Sequence, residues 1–216
     1  MLNKLQHSGN SRKLVFSLPR TPFDYRFLMD LLQTYSAPRN KIARMIEQGE
    51  IIQVKKGLYV LAAECGGTPP AEGVLANLIY GPSYVSLQFA LSHWGLIPEK
   101  VWEITSVTNK RPKRFETPYG TFSYKMISHK NFMEGVVIEG RNNDSFLIAS
   151  PERTLCDLFA AEGLPQNNDF AGFLTDSLRI PRGEIKQLNK TLIKKLAGDY
   201  SSVAVRRFAE WIEKHR

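Results

Sequence analysis

Cysteine is nearly absent from this 216-residue chain: Cys65 and Cys156, far apart, are the only two. Such usage builds no disulfide framework and suits a reducing compartment. Long apolar runs are also missing, and none approaches the roughly 18 residues a membrane span requires. The opening "MLNKLQHSGNSRK" has no signal-peptide apolar core. These absences predict a cytoplasmic protein with no membrane partner. Neither G-x-x-x-x-G-K-S/T nor G-x-G-x-x-G occurs, and no Cys/His spacing fits a zinc site. No catalytic signature is present, so the expectation is a non-enzyme with no cofactor and no metal. No internal repeat or low-complexity tract is seen.

What is present is an ordinary globular composition with a basic excess. Hydrophobic residues make up 43% and charged residues 23%, which argues against wholesale disorder. The net charge is +8, and its distribution is uneven. Residues 1–65 hold ten Lys/Arg against five Asp/Glu, residues 66–150 eight against seven, and residues 151–216 eleven against nine. A basic excess concentrated in the first third points to an anionic partner without naming it.

The strongest boundary signal is "ECGGTPPAEG", with adjacent glycines and adjacent prolines. It predicts two domains, residues 1–66 and 67–216. In the first, Tyr25, Leu28, Leu31, Leu32 and Tyr35 recur at helical spacing, with Pro22 or Asp24 at the start. "SAPRNKIARMIEQGE" predicts a second helix, capped by Ser36, with Pro38 in its first turn and Gly49 as its stop. "EIIQVKKGLYVL" then reads as a β-hairpin with Lys55 and Lys56 at its tip and Gly57 supplying a positive φ. In the second domain, Glu72 to Tyr80 and Ser83 to Trp94 read as helices. Val101 to Thr108, "RFET", "TFSYKMI", "GVVIEG" and "SFLIAS" read as strands. Ser150-Pro151-Glu152 opens a further helix, and residues 169–216 are mostly helical. The expected fold class is α+β: an N-terminal winged helix-turn-helix, then a larger domain of helices around a small, mostly antiparallel sheet.

Two short helices followed by a tight hairpin are the parts of a winged helix, whose second helix enters the major groove. The residues that would meet DNA there are Arg39, Asn40, Lys41 and Arg44, with Ile42, Met45 and Ile46 turned to the core. Arginine can pair bidentately with guanine and asparagine with adenine. Lys55 and Lys56 would neutralise phosphates beside the groove. Most winged helices carry a third helix before these two, which here lies in "LNKLQHS" or is missing. The bland reading is a soluble basic helix and a solvated turn.

"RNKIARMIEQGEIIQVKKGLYVL" resembles the N-terminal winged-helix segment of AbiEi-type antitoxins. "GPSYVSLQFALSHWGLIPE", "ITSVTNKRPKRFETPYGTFSY" and "IASPERTLCDLF" resemble the central region of these transcriptional regulators. The resemblance runs from about Asp24 to Phe159. It implies a type IV toxin-antitoxin system, in which the N-terminal domain binds operator DNA and represses its own operon. The partner it implies is a nucleotidyltransferase toxin of the AbiEii type, counteracted without need of a stable complex. DNA-binding regulators often act as dimers on two-fold sites, which admits a homodimer on DNA.

Elsewhere, Lys110, Arg111, Lys113 and Arg114 form a second basic cluster, read either as an anionic-partner patch or as a solvated loop. Ser92 and His93 are adjacent on a helix and so point apart, which excludes a nucleophile–base pair. Glu103, Glu139 and Asp144 lack the strand lysine of a nuclease centre. Two alternatives stand beside DNA binding: a protein-interaction module on a degenerate winged helix, and a metal-dependent nuclease.

Overall fold

The structure, a computed structural model, describes residues 14–215 and is a mixed α+β protein. The chain divides into two compact units, the first running to Ala71 and including Thr117–Tyr119, the second holding Glu72–Glu116 and the residues from Gly120 onward.

In the first unit, Leu14–Phe16 are helical, and Leu14 and Leu18 are buried. The expected helix in "LNKLQHS" falls outside the described residues. Strand β1 (Phe23–Asp24) leads directly into α1 (Tyr25–Leu31). Asp24 caps α1, its carboxylate accepting from the Phe27 N–H at 2.8 Å. Helix α2 (Pro38–Glu47) starts at proline, as expected, but its N-cap is Ala37, with no side-chain bond. Pro38 at the first helical position makes the cap its immediate predecessor, so Ser36 stands one residue too early. The helix ends in a Schellman motif: Gly49 N–H donates to Ile46 O (3.0 Å) and Glu50 N–H to Met45 O (2.8 Å), with Gly49 at φ 68°.

Strands β2 (Ile51–Lys55) and β3 (Leu58–Leu61) form the expected hairpin, and β1 adds to the other side of β3. All pairings in this three-stranded sheet are antiparallel. Leu28 and Leu32, Ile42 and Met45 from α2, and Ile51, Tyr59 and Leu61 from the hairpin share one core. The glycine pair after β3 is not a loose tether. Gly67 N–H donates to Ala62 O at 3.0 Å, and a Cβ there would lie 2.0 Å from Leu61 O.

The second unit holds α3 (Glu72–Ile79) and six strands: β4 (Ser83–Val85), β5 (Ile104–Thr108), β6 (Lys113–Thr117), β7 (Gly120–Met126), β8 (Val136–Glu139) and β9 (Phe146–Ala149). Their order is β6-β7-β5-β4-β9-β8. The expectation of a small, mostly antiparallel sheet is corrected here. The sheet has six strands and is mixed, since β5 runs parallel to β7 and β4 parallel to β9. Ser83–Val85, expected to begin a helix, is a buried strand, and α4 covers only Leu87–His93. A three-residue buried run has no period that could separate strand from helix. This strand brings β5 and β9 into one sheet.

Helix α5 (Pro151–Glu162) follows β9 and is capped as expected, Ser150 Oγ accepting from the Arg153 N–H at 3.3 Å. Every residue from Glu152 to Phe159 is buried, so α5 is enclosed on all sides. Short helices α6 (Phe170–Gly172) and α7 (Arg182–Gln187) precede α8 (Lys190–Ala197) and α9 (Val203–Lys214). Ile193 and Leu196 of α8, and Val205, Phe208 and Ile212 of α9, join the core around Leu155 and Phe159.

Candidate functional site

Helix α2 presents two contrasting faces. Ile42 and Met45 are buried, while Arg39, Asn40 and Arg44 are exposed on the opposite side. None of these three side chains makes an ion pair or hydrogen bond among the described residues. Two fixed positive charges and an amide are therefore held on one helical face, free to meet an outside partner. Lys41 differs from the expectation for it. Its side chain is only 14% exposed, with Nζ 3.8 Å from Glu50 Oε2, so it faces the start of β2.

At the hairpin tip, Lys55 pairs with Leu58, which leaves Lys56 and Gly57 as the two turn residues. Gly57 has φ 87°, whereas Lys56 is not in the left-handed region. Only the glycine takes the left-handed conformation, and the ladder shifts register just before the turn, between Gln53 and Lys55. Gly57 O accepts from Tyr25 N–H at 3.1 Å, tying the turn to α1. Lys56 is exposed and Lys55 half-buried. Of the two tip lysines, Lys56 projects into solvent.

The second basic cluster is occupied by its own surroundings. Arg114 contacts Glu103 (3.1 Å) and Glu116 (2.6 Å). Lys110 Nζ donates to Gly81 O at 2.5 Å and lies 5.6 Å from the centroid of the Tyr80 ring. Lys113 Nζ sits 5.0 Å from the Phe115 centroid and 5.7 Å from that of Tyr80. Only the Arg111 side chain has no such contact among the described residues. Cation–π contacts and ion pairs thus account for most of the charge crowding.

Sequence reasoning missed a buried polar network around α5. Arg153 and Asp157 have 0% side-chain exposure, with Nε 3.4 Å from Oδ1. Arg153 donates to Tyr84 Oη through Nη2 (2.9 Å) and to Glu134 O through Nη1 (2.6 Å). Asp157 accepts from Ser86 Oγ (2.7 Å) and Tyr200 Oη (2.5 Å). Burial raises the Asp157 pKa, although Arg153 opposes the shift. For Arg153, burial pushes down, but Asp157 and the facing phenols outweigh it and the guanidinium is held charged. A usable signal existed: Arg153 and Asp157 stand four apart within "SPERTLCDLF", on a helix with no polar face wide enough for solvent.

His129 completes the network. Its Nδ1 lies 2.8 Å from Ile127 O, and a carbonyl only accepts, so Nδ1 carries a proton. Its Nε2 lies 3.2 Å from Tyr84 Oη, and its ring stacks on Tyr200 at 5.5 Å. With both nitrogens engaged, His129 is not positioned as a general base for an outside substrate. Burial and the Arg153 charge lower its pKa. The network therefore joins β4, the loop after β7, α5 and the α8–α9 connection into one polar clamp.

Among the described residues, no three His, Cys, Asp or Glu side chains converge as a metal ion would need, and no helix is long and apolar enough to cross a membrane. Ser92 Oγ donates to Glu99 O (2.8 Å), while the His93 ring packs against Trp94 and Phe146, so the two diverge as their spacing predicts. No protein-family model matches this chain, and no curated protein matches it.

Proposed function

We propose that the first unit is a winged helix-turn-helix that binds duplex DNA. Helix α2 would lie in the major groove and the β2–β3 hairpin would act as the wing. The observation that carries this reading is the outer face of α2, where Arg39, Asn40 and Arg44 are exposed and unengaged among the described residues, opposite buried Ile42 and Met45. Arg39 and Asn40 stand in the first helical turn, where a recognition helix meets base edges. Lys56 supplies a phosphate contact from the wing. Lys41 serves instead to hold α2 against Glu50, and Lys55 to end β2.

The wider role is that of an autoregulator and antitoxin against a nucleotidyltransferase. It rests on the resemblance to AbiEi-type antitoxins and on no feature of the geometry. The DNA-binding part is tested by fluorescence anisotropy with DNA from upstream of the gene and with random duplex of equal length. Tighter binding to the upstream DNA supports the proposal. Equal, weak binding to both favours the alternative in which the winged helix serves protein interaction. A nucleotidyltransferase gene beside this one would support the antitoxin role.

A further inference from the structure

The second unit carries a pocket of about 550 Å³ that the DNA-binding reading does not use. Its lining includes Ser128, His129, Lys130, Tyr200, Ser201 and Arg206. Two segments form it, held together by a β-bridge between His129 and Tyr200 and by Lys130 N–H donating to Asp199 O at 3.0 Å. The floor is tied to the buried Arg153–Asp157 network, through Tyr200 Oη on Asp157 and His129 Nε2 against Tyr84 Oη. The volume falls within the range of small-molecule sites.

The chemistry of the lining selects a class of ligand. Lys130 and Arg206 are exposed cations, and neither makes an ion pair among the described residues. Among the described residues, the Arg206 guanidinium donates one hydrogen bond, from Nη1 to Ser201 O at 3.4 Å. The Ser128 and Ser201 hydroxyls have no partner among the described residues. A planar guanidinium fork, an ammonium and two hydroxyls offer several donors, which suits an oxyanion with several acceptor oxygens. Asp199 also lines the pocket, so one carboxylate partly offsets the two cations. His129 donates nothing to the space, as its nitrogens are already bonded. His129 therefore offers the pocket no free ring nitrogen. A bare phosphate would leave much of the volume unfilled, and Ala197, Gly198 and the His129–Tyr200 stack offer an apolar wall for an organic group.

We propose that this pocket binds the phosphate monoester of a small organic molecule, with Lys130 and Arg206 on the phosphate. The proposal is independent of DNA binding by the first unit. It is tested on the full chain by calorimetric titration with adenosine 5′-monophosphate and with inorganic phosphate. Three proteins are compared: the native chain, Lys130→Ala/Arg206→Ala, and the charge-matched control Arg182→Ala/Lys186→Ala. All four side chains are exposed, so the unfolding midpoint in phosphate-free buffer should be the same for the three. The expected result is binding by the native chain and the control. The pocket variant should bind about tenfold or more weakly, as loss of two charge-assisted contacts implies. Monoester binding tighter than that of inorganic phosphate places the organic group in the pocket. Failure of the native chain to bind either probe below about 10 mM overturns the proposal. So does an equal loss in both variants, which would mean diffuse charge only. Loss of duplex DNA affinity in the pocket variant, without monoester binding by the native chain, would assign these cations to a nucleic-acid backbone and overturn it as well.

Discussion

Arg153 Nε lies 3.4 Å from Asp157 Oδ1, one helical turn away, and neither side chain reaches solvent. Removing one member strands the other in a dry site, which costs about 3–5 kcal/mol for a buried pair. Asp157→Ala should therefore lower the urea midpoint of the second unit strongly. Arg153→Met combined with Asp157→Leu should be less destabilising than the sum of the two single changes, since no lone charge remains. Additive losses in denaturant titrations would show that the pair does not act as a unit.

His129 gives the same network a pH dependence with a definite sign. Burial, then Arg153, lowers its folded pKa below the unfolded value of about 6.5. The unfolded chain then binds more protons than the folded one. The contribution of His129 is fully present above about pH 6.5 and is lost as pH falls through the lower folded value. Asp157 and Asp199 moderate the shift without reversing it. Thermal midpoints recorded from pH 7.5 to 5 should fall for the native chain and fall less for His129→Gln. Parallel curves would assign the effect to other groups.

On the outer face of α2, Arg39→Ala or Asn40→Ala should weaken binding to the upstream site by about 1–3 kcal/mol and binding to random duplex much less. Both side chains are exposed and unengaged among the described residues, so stability should not move. Anisotropy on the two DNAs decides it. Equal losses would mean that α2 touches only phosphates.

The first unit was largely legible in the sequence because its signals are local. Spacing of Ile42 and Met45, Pro38 at a helix start, and a positive φ at Gly57 each depend on a few neighbours. The Ser36 cap failed by one position because Pro38 sets where the helix begins. The second unit hid more. β4 is three buried residues whose pattern says nothing until β5 and β9 flank it. The clamp unites Tyr84, His129, Arg153, Asp157 and Tyr200, which span more than a hundred positions, and no local pattern joins them. The basic cluster at residues 110–114 stayed undecided in the sequence because Tyr80 and Glu103, two of the groups that meet its charges, lie outside the local pattern, while Phe115 and Glu116 stand beside it.

The β2–β3 hairpin gives the sharpest test of the proposed DNA interface, because it predicts a slope and not only a loss. Gly57 at φ 87° closes the turn, and Lys56 beside it is exposed, while Lys55 is half-buried at the end of β2. A lysine on a phosphate releases condensed counterion, and each such contact contributes roughly −0.9 to the slope of log K against log salt on duplex DNA. Lys56→Ala should make that slope shallower by about one unit. Because phosphates carry no sequence information, affinity should drop alike on the upstream site and on random duplex. Lys55→Ala should change the slope less, since that side chain is partly turned into the protein. Binding measured from low to moderate salt, on variants with unaltered unfolding midpoints, gives the answer. An unchanged slope in Lys56→Ala would make the hairpin tip a solvated turn and remove it from the proposed DNA interface.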